Sequence, residues 1–182
     1  MFPSRRIVTM GGDKFRDEHS LAFDGSDDYI TMGDTTSYDS LDDLTISAWI
    51  KVDSSASGVL PIIAKGQYNV DGAAFHLNYN PDSNSGRVSF SIERDSGQSD
   101  GEGGYAYVNS LGSDIDGKWC HVAIVYSNTN DSIVIYINGV SKTISSGSGS
   151  WAGSFIAIPN SSSELRIGND TAGSNDFHGQ IS

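Results

Sequence analysis

Between Asp24 and Asp43 the chain places seven aspartates, at positions 24, 27, 28, 34, 39, 42 and 43, with no lysine or arginine among them. Hard oxygen donors gathered in this way suit Ca²⁺, which is satisfied by several carboxylate and loop-carbonyl oxygens. The spacing does not follow an EF-hand loop, which fixes a mid-loop glycine and closes on a bidentate glutamate. A cation site here has to be assembled from several loops. The reading that needs no ion is a set of solvated turns in an acidic protein. Other chemistries have weaker support. Cys120 is the only cysteine, which excludes an intramolecular disulfide framework and a cysteine-rich zinc site. Nothing adjacent to it in sequence would depress its pKa, so it reads as a small buried hydrophobe. Four histidines (19, 76, 121 and 178) among 30 serines make a chance Ser/His pairing certain, so co-occurrence points to no nucleophile. No catalytic residue is assigned.

The elements that must position these groups are strands. In Leu44–Val52 the residues Leu44, Ile46, Ala48, Ile50 and Val52 share one face, and the same alternation puts Phe75, Leu77 and Tyr79 together, then Val88, Phe90 and Ile92. Trp119–Tyr126 is more continuously apolar, as expected of a central strand covered on both faces. Ser132–Ile137 and Val140–Ile144 flank Asn138-Gly139, a pair that supplies the two positive φ values of a type I′ hairpin turn. Shorter strands are expected at 20–23, 29–32, 60–64, 105–108, 155–158, 165–167 and 177–181. No segment carries a helical stripe. About a dozen short strands in 182 residues, the length of one domain, predict a β-sandwich or barrel.

Charge divides the chain. The net charge is −12, yet residues 1–19 hold Arg5, Arg6, Lys14 and Arg16 against three acids, which leaves −13 on the rest. Such a body repels nucleic acid and anionic membranes. Residues 1–18 show neither period and read as an arm or linker, either docked on a partner or an unstructured tail. Residues 19–182 form the domain. No apolar core of secretory-leader length follows Arg5-Arg6, and no run of about 18 apolar residues is present. The expectation is a soluble chain without membrane insertion, which stays inside, leaves by a route it does not encode, or is part of something longer.

Seven marks in order carry a family resemblance: Leu21-Ala-Phe-Asp-Gly-Ser-Asp-Asp-Tyr-Ile30, Leu44-Thr-Ile-Ser-Ala-Trp-Ile50, Ile63-Ala-Lys-Gly66, Trp119-Cys-His-Val-Ala-Ile-Val-Tyr126, Ile135-Tyr-Ile-Asn-Gly139, Leu165-Arg-Ile-Gly168 and Phe177-His-Gly-Gln-Ile181. From about Ser20 to its end the chain resembles a laminin G-like domain of the concanavalin A-like lectin/glucanase superfamily. The resemblance implies an all-β jelly-roll sandwich of two curved antiparallel sheets. Members of the family usually continue past the last mark with a further strand, so the sandwich is expected to lack its last strand unless another segment supplies it. Some members hold a structural Ca²⁺ between loops near the start and an acid near the end, which implies Asp24, Asp28 and Asp176 as metal ligands here. Asp24-Gly25 also reads simply as the turn between the first two strands. The glucanase branch carries a Glu-x-Asp-x-Glu run; the nearest match, Glu93-Arg-Asp95-Ser-Gly97, has glycine in the third place, so Glu93 and Asp95 read as strand-end and turn residues.

What this leaves is binding. Glycan sites join aromatic faces, which meet sugar C–H groups, with amide and carboxylate side chains that meet hydroxyls, and they sit on surface loops. Tyr68, Asn69, Tyr105, Tyr107 and Trp151 are the candidate ligand-binding residues. The competing reading places Tyr105, Tyr107 and Trp151 in the core or a subunit interface. Trp49 and Trp119, inside strands, are assigned to packing. Three sequons, at Asn130, Asn160 and Asn169, permit glycosylation in a eukaryotic setting. The expected function is a noncatalytic, lectin-like adhesion or decoration module of an extracellular particle, foremost a phage or virus virion. The partner is a glycan or a protein, and oligomer formation is compatible with this. The alternative is a carbohydrate-binding module of a larger secreted or cell-surface protein, and a glycoside hydrolase is the remote third.

Overall fold

A computed structural model describes residues 19–67, 74–92, 104–146, 157–171 and 175–182. Two antiparallel sheets pack face to face. The six-stranded sheet runs in the order β1 (Leu21–Asp24), β13 (His178–Ile181), β3 (Asp43–Val52), β8 (Cys120–Ser127), β9 (Ser132–Ile137), β10 (Val140–Lys142). The seven-stranded sheet runs β11 (Ser145–Ser146), β7 (Gly104–Val108), β6 (Arg87–Ile92), β5 (Phe75–Asn80), β4 (Leu60–Lys65), β12 (Leu165–Ile167), β2 (Ile30–Thr31). This is the all-β jelly-roll sandwich expected from the alternation. The expected arm 1–18 lies outside the described residues. The C-terminal strand β13 is an interior strand, paired with β1 on one side and β3 on the other, so the rims of its sheet are β1 and β10.

The period-two pattern becomes a layered core. Ile50, Val122, Ile124 and Ile135 from one sheet face Leu77, Val88, Phe90 and Ala106 from the other, all fully buried. Phe90 bridges the layers, its ring centroid 5.9 Å from Tyr126 and 6.4 Å from Phe75. Each of these side chains larger than alanine contributes about 1.5–3 kcal/mol on burial, which is what orders the strands that carry the site. The Asn138-Gly139 turn forms as expected: φ is +51° and +76°, and Val140 pairs with Ile137 across it.

Three expectations change. Strand β8 is central within its sheet, yet its outer face is not covered, and Val125 is 38% exposed. Trp49 and Trp119 are not packed inside, being 42% and 41% exposed; Trp49 stands on that outer face with its ring 5.3 Å from that of His121 and tilted by 55°, and Trp119 lies just before β8 rather than in a strand. The alternation explains this, because Trp49 lies between the inward Ala48 and Ile50. The expected strand over 155–158 does not form at its described end. Ala157 and Ile158 are not in a strand, and Ile158 is buried with its N–H donating to the Leu41 carbonyl. Two one-turn helices, a 3-10 turn at Thr36–Tyr38 and α1 (Gly112–Ile115), are too short to leave a stripe in the sequence.

Candidate functional site

Register decides where the tyrosines of β7 point. Ala106 pairs with Phe90 and Val108 with Val88, all inward, so Tyr105 and Tyr107 face away from the core, opposite Ser91 and Ser89. Their rings are 5.3 Å apart and tilted by 39°, half-exposed. Arg87, at the start of β6, reaches across the same face. Its guanidinium carbon sits 4.3 Å from the Tyr107 ring centroid, its Nε donates to Asn109 Oδ1 at 2.9 Å, and its Nη1 donates to the Tyr105 hydroxyl at 3.2 Å. Beside this shelf, on the same face of the sheet, β5 and β6 carry buried polar side chains, His76, Asn78, Ser89 and Ser91. Ser91 Oγ has no hydrogen-bond partner. His76 is held by a hydrogen bond to the Gly66 carbonyl at 3.1 Å, and burial pushes its pKa down to about 4. Of the other proposed binding residues, Tyr68, Asn69 and Trp151 lie outside the described residues, as does Glu93–Gly97.

The acidic run folds into a corner beside the β1–β13 pair. Asp24, Asp27 and Asp28 are exposed, and each offers a carboxylate oxygen within 4.8 Å of the others. The loop is also the expected turn: Ser26 N–H donates to Asp24 Oδ1 at 2.9 Å and Asp24 N–H to Asp28 Oδ2 at 3.0 Å. Asp176 belongs to the same neighbourhood. Its pKa is raised, first by desolvation and then by the negative charges of Asp170, Asp27 and Asp24, against a hydrogen bond from Asn169 that lowers it. Three exposed carboxylates gathered within one ion's reach, with a fourth nearby, fit a hard divalent cation. The donors Asp24, Asp27 and Asp28 would hold Ca²⁺, with Asp176 contributing charge from the C-terminal side. Of the ligands implied by the resemblance, Asp24 and Asp28 come together directly, and Asp27 joins them. The bond from Asn169 to Asp176 also closes one sequon, since Asn169 is buried; Asn130 and Asn160 are exposed.

Other aspartates of the run do something the sequence did not signal. Lys65, at the end of β4, is fully buried, and its ammonium donates to Asp34 Oδ1 at 3.1 Å and to the carbonyls of Ser161 at 2.8 Å and Ser163 at 3.0 Å. Asp39 stands 3.5 Å away. Two connections, the one between β2 and β3 and the one leading into β12, are thereby tied to one strand end beneath an open polar cleft of about 600 Å³, lined by Asp34, Thr36, Asp39, Ser40 and 160–162. Cys120 is buried and its thiol pKa is pushed up to about 11 by desolvation, as fits an inert side chain.

Two packed antiparallel sheets in this strand order form a jelly-roll sandwich of the concanavalin A-like kind. A family model described as Laminin_G_3, of the concanavalin A-like lectin/glucanases superfamily, matches residues 24–182, and the chain belongs to that family. No curated protein matches it. Among solved structures it is similar to mouse laminin alpha1 chain domains LG4-5, with a TM-score of 0.61 and 18% identity over 89% of this chain; the match spans only 39% of that laminin chain. It is similar to the CBM40 of Ruminococcus gnavus IT-sialidase bound to alpha2,3 sialyllactose, with a TM-score of 0.62 and 16% identity over 90% of this chain and 86% of that one. It is also similar to the heptameric SAP-like pentraxin of Limulus polyphemus, with a TM-score of 0.56 and 16% identity over 90% and 72%. At these identities the likeness is one of fold. No helix among the described residues is long and apolar enough to cross a membrane.

Proposed function

We propose that the domain is a noncatalytic carbohydrate-binding module whose ligand rests on the Tyr105–Tyr107 shelf. It would serve adhesion or decoration on an extracellular particle such as a phage or virus virion. The observation that carries the reading is the pair of partly exposed tyrosines, their rings 5.3 Å apart and tilted by 39° on the outer face of β7, bordered by Arg87 and Asn109. Aromatic faces supply the apolar wall a pyranose ring needs, and the neighbouring polar groups meet its hydroxyls. The neighbour that carries sialyllactose shares this fold, which supports the class of ligand without fixing the sugar. Ca²⁺ at the Asp24, Asp27 and Asp28 corner, with Asp176 nearby, would brace the loops beside the β1–β13 pair.

The second reading, a module of a larger secreted or cell-surface protein, is favoured by one observation. Leu21 and Ile181 pair with each other, so the domain starts and ends at one place and can sit within a longer chain. A glycan array tests the shared core of both readings. Retention of a sugar class by the intact chain, lost in Tyr107→Ala with the fold preserved, supports it. An array blank with and without Ca²⁺ rejects it. For the particle setting, co-purification with a capsid or fibre component is the expected result, and a monomer with no such affinity overturns it.

A further inference from the structure

We propose that the shelf selects a singly charged, carboxylated sugar, with Arg87 as the group that reads the carboxylate; this rests on the glycan reading above. The protein contains its own comparison. Arg166 also lies over a tyrosine, 4.3 Å from the Tyr29 centroid, and there the guanidinium edge is filled by Glu164 Oε2, at 3.0 Å from Nε and 2.8 Å from Nη2. Arg87 has the same stack on Tyr107, but its edge is met by neutral acceptors only, Asn109 Oδ1 on Nε and the Tyr105 hydroxyl on Nη1. No carboxylate among the described residues pairs with it, although the chain has 23 acids against 11 bases.

The consequence is a charged fork held in place before any ligand arrives. Stack and hydrogen bonds fix its plane, and the end bearing Nη2 and the second Nη1 hydrogen keeps its donors for an incoming anion. That end matches the two oxygens of a carboxylate, and little side-chain entropy is lost on binding because the fork is already ordered. Next to it, the Tyr105 and Tyr107 rings offer the apolar wall. In the row opposite Tyr105, the buried Ser91 hydroxyl, without a hydrogen-bond partner, adds unspent polar capacity.

Charge narrows the class further. With a net charge of −12, the chain repels a polyanion at long range, so a densely sulfated chain meets repulsion at every group beyond the one Arg87 can meet. A sugar with one carboxylate meets the arginine and brings little else to repel.

The test is titration of the full chain with sialyllactose, a glucuronate-terminated oligosaccharide and lactose, followed by calorimetry or ligand-observed NMR. The expected result is that one or both acidic sugars bind at least about tenfold more tightly than lactose, the scale of a charge-assisted bond. Arg87→Gln removes that preference, and Arg87→Lys, which keeps the charge without the fork, restores only part of it. Unfolding midpoints of both variants confirm that the sheet is intact. Equal binding of acidic and neutral sugars, or a preference that survives Arg87→Gln, overturns the carboxylate assignment and leaves the glycan reading standing. Failure to bind any of the three, combined with a blank array, overturns both. Which acidic sugar binds distinguishes a sialic from a uronic acid source.

Discussion

Replacing Lys65 by methionine should destabilise the domain by about 3–5 kcal/mol, the cost of removing one partner of a buried ion pair. The magnitude follows from what is left behind. The ammonium is fully buried and donates three hydrogen bonds, two of them to the Ser161 and Ser163 carbonyls, which lose a charged donor. Asp39 contributes most on the acidic side because its side chain is only 13% exposed, while Asp34 is 45% exposed and water can screen it. Asp34→Asn alone should therefore cost about 1 kcal/mol or less. Urea denaturation followed by circular dichroism reads the difference. With a slope of about 2 kcal/mol per molar, Lys65→Met lowers the midpoint by about 1.5–2.5 M. Adding Asp39→Asn to Lys65→Met should recover about 1–3 kcal/mol, because the uncompensated carboxylate disappears. A midpoint shift for Lys65→Met no larger than that of Asp34→Asn would refute the reasoning, since it would mean that the ammonium does not tie the loops to β4.

His76 predicts a pH dependence with a definite sign. Its folded pKa is about 4 against an ordinary 6.5, so the unfolded chain binds the extra proton; stability is whole above pH 6.5 and falls as the pH drops toward 4, by about 3 kcal/mol in all. Stability of the wild type relative to His76→Gln, measured by urea melts at pH 7.5 and 4.5, should decline by about 2.5 kcal/mol of that total, and a constant difference would contradict it. For calcium, saturating the protein and then adding chelator should lower Tm by about 5 °C or more, with the shift lost in Asp28→Asn; a Tm indifferent to chelator rejects the site. Gly168→Ala would place a Cβ 2.3 Å from Phe23 Cε1 at a φ of +88° and should cost about 2–4 kcal/mol. Gly117→Ala, at a φ of +68° with open space around it, should cost only about 1 kcal/mol of backbone strain; equal midpoints for the two would show that the Phe23 contact is not tight.

Strand existence and pairing were legible because the core imposes alternation on both sheets, so Leu44–Val52 and Arg87–Ile92 announced their inward faces residue by residue. The hairpin at Asn138-Gly139 was legible because only a few residue types tolerate two consecutive positive φ values. Alternation also placed Tyr105 and Tyr107 on a common face, but it could not say which, and only the pairing of Ala106 with Phe90 turns that face outward. Trp49 shows the limit from the other side. Hydrophobicity suggested packing, while its parity, opposite to Ala48 and Ile50, already pointed out of the core. Lys65 was illegible for a different reason. A lysine is seldom fully buried, and the partners that make burial tolerable come from residues 34, 39, 161 and 163, with no local pattern linking them to β4.

The antiparallel pairing of β1 with β13 has a mechanical consequence. Leu21 faces Ile181 at the outer end of the ladder and Asp24 faces His178 at its inner end. Tension applied through the two ends of the domain therefore loads the hydrogen bonds one rung at a time, in the peeling direction, rather than shearing all of them together. The rungs at Leu21, Ala22 and Phe23 give way in turn before the load reaches Asp24 and the carboxylates clustered with it. Anchored by these ends in flow or under a pulling partner, the domain would begin to open at a low force, and the acidic corner would be where the tear is met.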